Sequence, residues 1–153
     1  MNAPIRMHGS VVSVGGRGAL LTGGSGLGKS DLALRLIDRG ARLVADDQVL
    51  LETAADGRLW ATAPDALKGL LEVRGLGIIH MPGLDRCPID LVVRLGPMDS
   101  PQRLPDARPW QPPGDPAPMR VPELFMFAFE PSAPIKVELA LAEAARIGSS
   151  GEV

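Results

Sequence analysis

Gly23-Gly24-Ser25-Gly26-Leu27-Gly28-Lys29-Ser30 has the residue types and spacing to hold a polyphosphate. It fits G-x-x-x-x-G-K-[ST], in which glycines let successive backbone N–H groups turn inward as an anion nest at a helix start. Lys29 then reaches the β- and γ-phosphates, and the Ser30 hydroxyl ligates Mg2+. No G-x-G-x-x-G register is present, so a dinucleotide fingerprint is not the reading. A second group follows: the apolar run Arg42-Leu43-Val44-Ala45 ends in two carboxylates, Asp46 and Asp47. Adjacent acids repel and need a cation. Beside a phosphate loop, one can hold Mg2+ and the other can take a proton from an attacking hydroxyl. Without the loop, the pair would read as a turn signal at a strand end. A third group is Leu71-Glu72-Val73-Arg74-Gly75-Leu76-Gly77-Ile78-Ile79. Glu72 and Arg74 are two apart, which on a strand puts both on one face, for a metal and a phosphate or simply as an exposed ion pair before a turn.

These groups need elements to hold them. Val11–Val14 and Ala19–Thr22 read as strands joined by a Gly-Gly-Arg-Gly turn. Residues 30–39 read as a helix with Leu32, Ala33, Leu36 and Ile37 on one side, an Asp31–Arg35 pair on the other, and Gly40 closing it. Further strands fall at Arg42–Ala45, Gln48–Glu52, Leu71–Arg74, Ile78–His80 and Ile89–Leu95. In the simplest layout Arg42–Ala45 returns directly beside the loop strand, so that its carboxylates face the crevice of Lys29. Near the C-terminus, Ile135, Val137, Leu139 and Leu141 alternate like a strand. The Ala/Leu/Glu-rich stretch Glu138–Arg146, followed by Gly148, decides for a helix.

The 153 residues, 45% hydrophobic, suffice for one domain with a real core, here aliphatic because Tyr is absent and Phe scarce. A net charge of −2 offers no global basic field for nucleic acid or an anionic membrane. Cys87 is the single cysteine, so no intrachain disulfide can form, which suits a reducing cytoplasm. No signal peptide is visible in Met1–His8, and no apolar run is long enough to span a bilayer. Nine of the 15 prolines lie between Pro97 and Pro122, so 96–119 reads as a Pro-rich loop within the domain.

Together the three groups resemble the catalytic domain of HPr kinase/phosphorylase. The resemblance runs through Gly23–Ser30, Arg39-Gly40-Ala41-Arg42-Leu43-Val44-Ala45-Asp46-Asp47 and Leu71–Ile79, with His8-Gly9 where that family has a histidine before its first strand. It implies an α/β, P-loop-containing kinase domain of the phosphoenolpyruvate carboxykinase-like kind, a mixed sheet with flanking helices. It implies a cytoplasmic, ATP- and Mg2+-dependent kinase for a serine of an HPr-like phosphocarrier in the phosphotransferase system, regulating carbon metabolism. By the same resemblance Lys29 binds phosphate, Ser30 and Glu72 ligate Mg2+, and Asp46 stands in the metal shell. Asp47 accepts the proton, His8 supports the phosphate region, and Arg103 matches an active-site arginine. A homo-oligomer, a hexamer in that family, is implied too, and Leu124–Phe129 is either part of a docking surface or a buried strand.

Two departures are visible. The chain starts almost at the catalytic domain, which reads as a single domain over 1–153 in a short form without the family's N-terminal domain. The basic, Gly-Arg-containing loop tied to dephosphorylation is replaced by Glu130-Pro131-Ser132-Ala133-Pro134-Ile135-Lys136-Val137. Kinase activity is therefore expected ahead of phosphorolysis. A nucleotide-binding sensor and a small-molecule P-loop kinase are the alternative functions.

Overall fold

The computed structural model describes residues 4–98, 110–113 and 121–149. In chain order the elements are β1 (Ile5–His8), β2 (Ser10–Val14), β3 (Arg17–Thr22), α1 (Lys29–Asp38), β4 (Arg42–Ala45), β5 (Gln48–Thr53), β6 (Leu59–Thr62), β7 (Leu70–Val73), β8 (Gly77–His80), β9 (Arg86–Leu95), β10 (Glu123–Met126) and α2 (Ala133–Ser149). Eight strands form a mixed sheet in the order β1-β5-β6-β9-β3-β2-β4, with β10 parallel to β9. β7 and β8 form a separate antiparallel hairpin.

β3 is apolar on both faces because both are covered. Ala19 and Leu21 join the cluster packed with α1 and α2, and Leu20 joins a second cluster against β5 and β6. β9 serves both clusters by a change of face. Its pairing with β3 skips Asp90, Gly18 facing Ile89 and Ala19 facing Leu91. Cys87 and Ile89 therefore lie in the second cluster while Leu91 and Val93 lie in the first, as a bulge requires.

One expectation is corrected. β4 does not lie beside β3; β2 sits between them, antiparallel to both. A tight turn at Gly15 and Gly16 folds β2 onto β3 and takes that place. Two antiparallel steps leave β3 and β4 parallel, so their carboxyl ends still open on the same side. Strands β1 and β6 had no counterpart in the sequence reading. At 124–129 the strand alternative holds for β10, with Met126 buried. α2 begins five residues before Glu138, at Ala133, because Pro134 fits a first helical turn where no N–H is needed. Ala133, Val137 and Leu141, at helical spacing, are its buried contacts, while Leu139 is 65% exposed. Most of 96–119 lies outside the described residues. Among the described residues no helix is long and apolar enough to cross a membrane.

At the β3–β9 seam, a Cβ on Gly18 would lie 2.2 Å from the Pro88 carbonyl oxygen and 2.7 Å from Cys87 Sγ. Backbone cannot yield as a side-chain tip does. Gly18→Ala is expected to cost about 1–3 kcal/mol, read as a thermal midpoint several degrees lower.

Burial pushes the neighbouring Cys87 thiol up to about 12, with the Asp90 charge adding to it. The thiol is thus neutral in the fold at a pH where it ionises in the unfolded chain, roughly 8.5. Stability from this site is complete below that value and is lost as pH rises toward the folded pKa. Wild type should lose stability relative to Cys87→Ala by about 1 kcal/mol per pH unit between pH 9 and 10.5, measured by urea titration.

Candidate functional site

The phosphate-type loop joins β3 to α1. No side chain caps α1; its N-cap is Gly28 with φ 98°, and the first helical bond runs from the Leu32 N–H to the Gly28 carbonyl. The N–H groups of the first turn are thus presented at the loop, as anion binding requires. A Cβ on Gly28 would also meet Ala128 Cβ and Phe129 Cζ, each at 2.9 Å, so glycine is required there on two counts. Lys29 Nζ donates to the carbonyls of Gly23 (2.8 Å) and Gly24 (3.1 Å), which holds the ammonium across the loop.

Asp46 is 5% exposed. Its Oδ1 accepts from Ser10 Oγ and Ser30 Oγ, both at 2.7 Å, and its Oδ2 accepts from the Glu72 backbone N–H at 3.2 Å. A bulge in β4 aims it there. Val11 faces Ala45 and Val12 faces Leu43, leaving Val44 as the extra residue. Leu43 joins the cluster on the α1 side, Val44 and Ala45 both join the opposite one, and Asp46 swings back toward α1. Without the bulge, strand alternation would send it away from Ser30. The Ser30 hydroxyl and the Asp46 carboxylate are hard oxygens side by side, a set suited to Mg2+ with phosphate and water oxygens completing the shell. Among the described residues no three His, Cys, Asp or Glu side chains form a ready metal cage.

Asp47 differs from its neighbour in every respect. It is exposed, and it is the one non-glycine among the described residues with positive φ, 70°. The Gln48 N–H donates to the Asp46 carbonyl at 2.8 Å, closing a three-residue turn centred on Asp47. Such a turn with positive φ is rare and strained, and it lifts the side chain off the sheet. The Asp47 carbonyl accepts from the Gly9 N–H at 3.2 Å, which ties the turn to the β1–β2 junction. His8 precedes that junction and pairs in register with Gln48. Arg6 Nε donates to Gln48 Oε1 at 3.2 Å, so the amide nitrogen faces His8 Nδ1 at 3.1 Å. Nδ1 is then the acceptor and the neutral ring carries its proton on Nε2.

The residues singled out by sequence are thus brought together in part. Lys29, Ser30 and Asp46 converge on the loop, Asp47 follows at the adjoining turn, and His8 is linked to it through Gln48. Glu72 joins through its backbone; its side chain is exposed, pointing away from buried Leu71. The shared face expected for Glu72 and Arg74 does not form, because β7 ends at Val73 and Arg74 belongs to the turn. Arg103 lies outside the described residues. Three residues at the site were not among the sequence-derived candidates: Ser10, Gln48 and Arg35, the last read only as half of a helix-surface pair. Arg35 donates to the carbonyls of Ala128 and Glu130, anchoring the segment after β10 to α1. Only Ser10 carried a signal, a polar residue at the mouth of an apolar strand.

The profile of the HPr Serine kinase C-terminal domain matches residues 1–104. This chain belongs to that family. It is 57% identical over 79 residues to the HPr kinase/phosphorylase of Clostridium novyi (strain NT), covering 52% of this chain and 25% of that protein. It is 41% identical over 102 residues to the HPr kinase/phosphorylase of Caldanaerobacter subterraneus subsp. tengcongensis, covering 62% and 33%. The chain therefore spans about a quarter to a third of the length of these curated relatives. The solved HPr(Ser) kinase/phosphatase from Coxiella burnetii shares the fold, with a TM-score of 0.73, 24% identity, and 96% and 99% of the two chains covered.

The two acids of this HPr kinase-type domain should separate in stability measurements. Asp46→Ala leaves buried donors facing a void and should cost about 1–3 kcal/mol for each orphaned one. Asp47→Asn, on an exposed turn that asparagine tolerates, should stay within about 0.5 kcal/mol of wild type. Urea unfolding of both variants gives the comparison.

Proposed function

We propose that this domain is an ATP-dependent protein-serine kinase acting on an HPr-like phosphocarrier in the cytoplasm. The observation that carries the reading is the buried Asp46 carboxylate bonded to the phosphate-loop Ser30 at 2.7 Å, with exposed Asp47 next to it in a strained turn. Residues 1–153 then form one catalytic domain. Family membership makes a homo-oligomer, a hexamer, the expected assembly.

The loop amides and Lys29 hold the β- and γ-phosphates. Ser30 and Asp46 would hold Mg2+, with Glu72 reaching it from β7; when bound, that ion supplies charge neutralisation across the phosphates. Asp47 accepts the proton of the substrate serine hydroxyl as its oxygen bonds to the γ-phosphorus. The bond to the β–γ bridging oxygen breaks and ADP leaves. Lys29 and the loop N–H groups stabilise the charge that develops on the transferring group. His8, accepting from Gln48, steadies the Asp47 turn, and Arg103 is assigned to the same site by family resemblance. Transfer from ATP is favoured over phosphorolysis because the basic loop that the family ties to dephosphorylation is replaced here by Glu130-Pro131-Ser132-Ala133-Pro134-Ile135-Lys136-Val137.

Labelled ATP incubated with the cognate carrier should yield phosphoserine on the carrier. Asp47→Asn should lower kcat by about 100- to 10,000-fold while nucleotide binding persists. An unlabelled carrier, or an Asp47→Asn variant as fast as wild type, would sink the proposal.

A further inference from the structure

All three phenylalanines of this aliphatic, tyrosine-free chain lie within five residues, Phe125, Phe127 and Phe129. Phe129 is 48% exposed although its neighbour Ala128 is fully buried. Its ring rests against the phosphate loop, since the Cβ direction of Gly28 runs into Cζ at 2.9 Å and Cε1 at 3.2 Å. Phe127 meets it edge to face, with ring centroids 5.7 Å apart and planes at 67°. Arg35 holds the backbone on both sides of it, through the carbonyls of Ala128 and Glu130. The same guanidinium is fixed by Asp31, one residue past the phosphate-loop motif, at 3.0 Å.

From this we propose that Phe129 is the stacking platform for the base of the bound nucleoside triphosphate, with Phe127 and Arg35 as positioning residues. The proposal rests on the phosphate-binding reading of Gly23–Ser30. The occupant follows from place and chemistry. A base is tethered to the β-phosphate through one further phosphate and a ribose, so it must settle on surface next to the loop. A half-exposed ring braced on that loop is such a surface, and it offers a π-face to any base. Because Arg35 is anchored on α1, the ring and the first turn of the helix move as one body. The platform is therefore preformed, and binding pays little ordering cost.

Calorimetric titration with Mg-ATP and, separately, with magnesium tripolyphosphate separates the base from the phosphates. Phe129→Ala should weaken ATP by about ten- to a hundredfold and leave tripolyphosphate within about twofold. Phe129→Trp should restore ATP binding, whereas Phe129→Leu, which keeps apolar bulk without a π-face, should not. An unchanged ratio of ATP to tripolyphosphate affinity in Phe129→Ala overturns the proposal. So does equal rescue by leucine, or a change in solution mass with that ratio intact, which makes the ring a contact between copies. Failure of tripolyphosphate to bind wild type instead removes the phosphate-loop reading and the platform with it.

Discussion

A carboxylate taken out of water is tolerable only when donors surround it. Asp46 meets that demand from three separate segments: Ser10 at the start of β2, Ser30 at the start of α1, and the backbone of Glu72 in β7. The hairpin β7–β8 shares no hydrogen-bonded strand with the main sheet, so this bond is one of the ties that hold it at the site. Leu71, fully buried in the cluster beneath α1, is another. Loop, sheet and hairpin are thereby set relative to one oxygen pair. A change at any of the three donors is felt by the other two, which makes Asp46 a structural junction.

The neighbouring acid receives the opposite treatment. Asp47 is held out of the sheet by a turn that L-residues avoid, at a cost of order 1–3 kcal/mol. That strain persists because both ends of the turn are fixed: one by Asp46, the other by the β1–β5 pairing and the Gly9 N–H. Two adjacent carboxylates thus acquire different surroundings, one enclosed by donors and one presented to solvent. The separation suits a site in which one acid stays with the metal and the other exchanges a proton.

The strand–loop–helix unit was legible because its signal is contiguous: β3 is buried on both faces and the glycines follow at once. The place of Asp46 was not legible for a specific reason. Leu43, Val44 and Ala45 are all apolar, so no alternation reveals that Val44 is an extra residue and that Asp46 changes side. Its partner Ser10 is 36 residues away, and no local pattern announces a bond of that span. The insertion of β2 between β3 and β4 was hidden similarly, since an apolar strand reads alike whichever neighbour it takes. Glu72 and Arg74 show the converse error: alternation was extended one residue past a strand that the following glycine had already ended.

If the domain transfers phosphate as proposed, the segment from Phe127 to Lys136 would bear on the direction of that transfer. Phosphorolysis would bring inorganic phosphate against a phosphoserine, two separate multiply charged anions that must be held together in one crevice. The cation on this segment, Lys136, and the one bonded to the segment from α1, Arg35, are both committed. Arg35 is bound to Asp31 and to the carbonyls of Ala128 and Glu130, and Lys136 is paired with Glu130. Glu130 adds a negative charge of its own where a basic loop stands in the family pattern. On the proposed reading, forward transfer would start from phosphates already joined in the triphosphate, which would meet the helix N-terminus and Lys29 together with its metal. The same segment carries Phe129 against Gly28, so what it lacks in charge it supplies as apolar surface beside the loop.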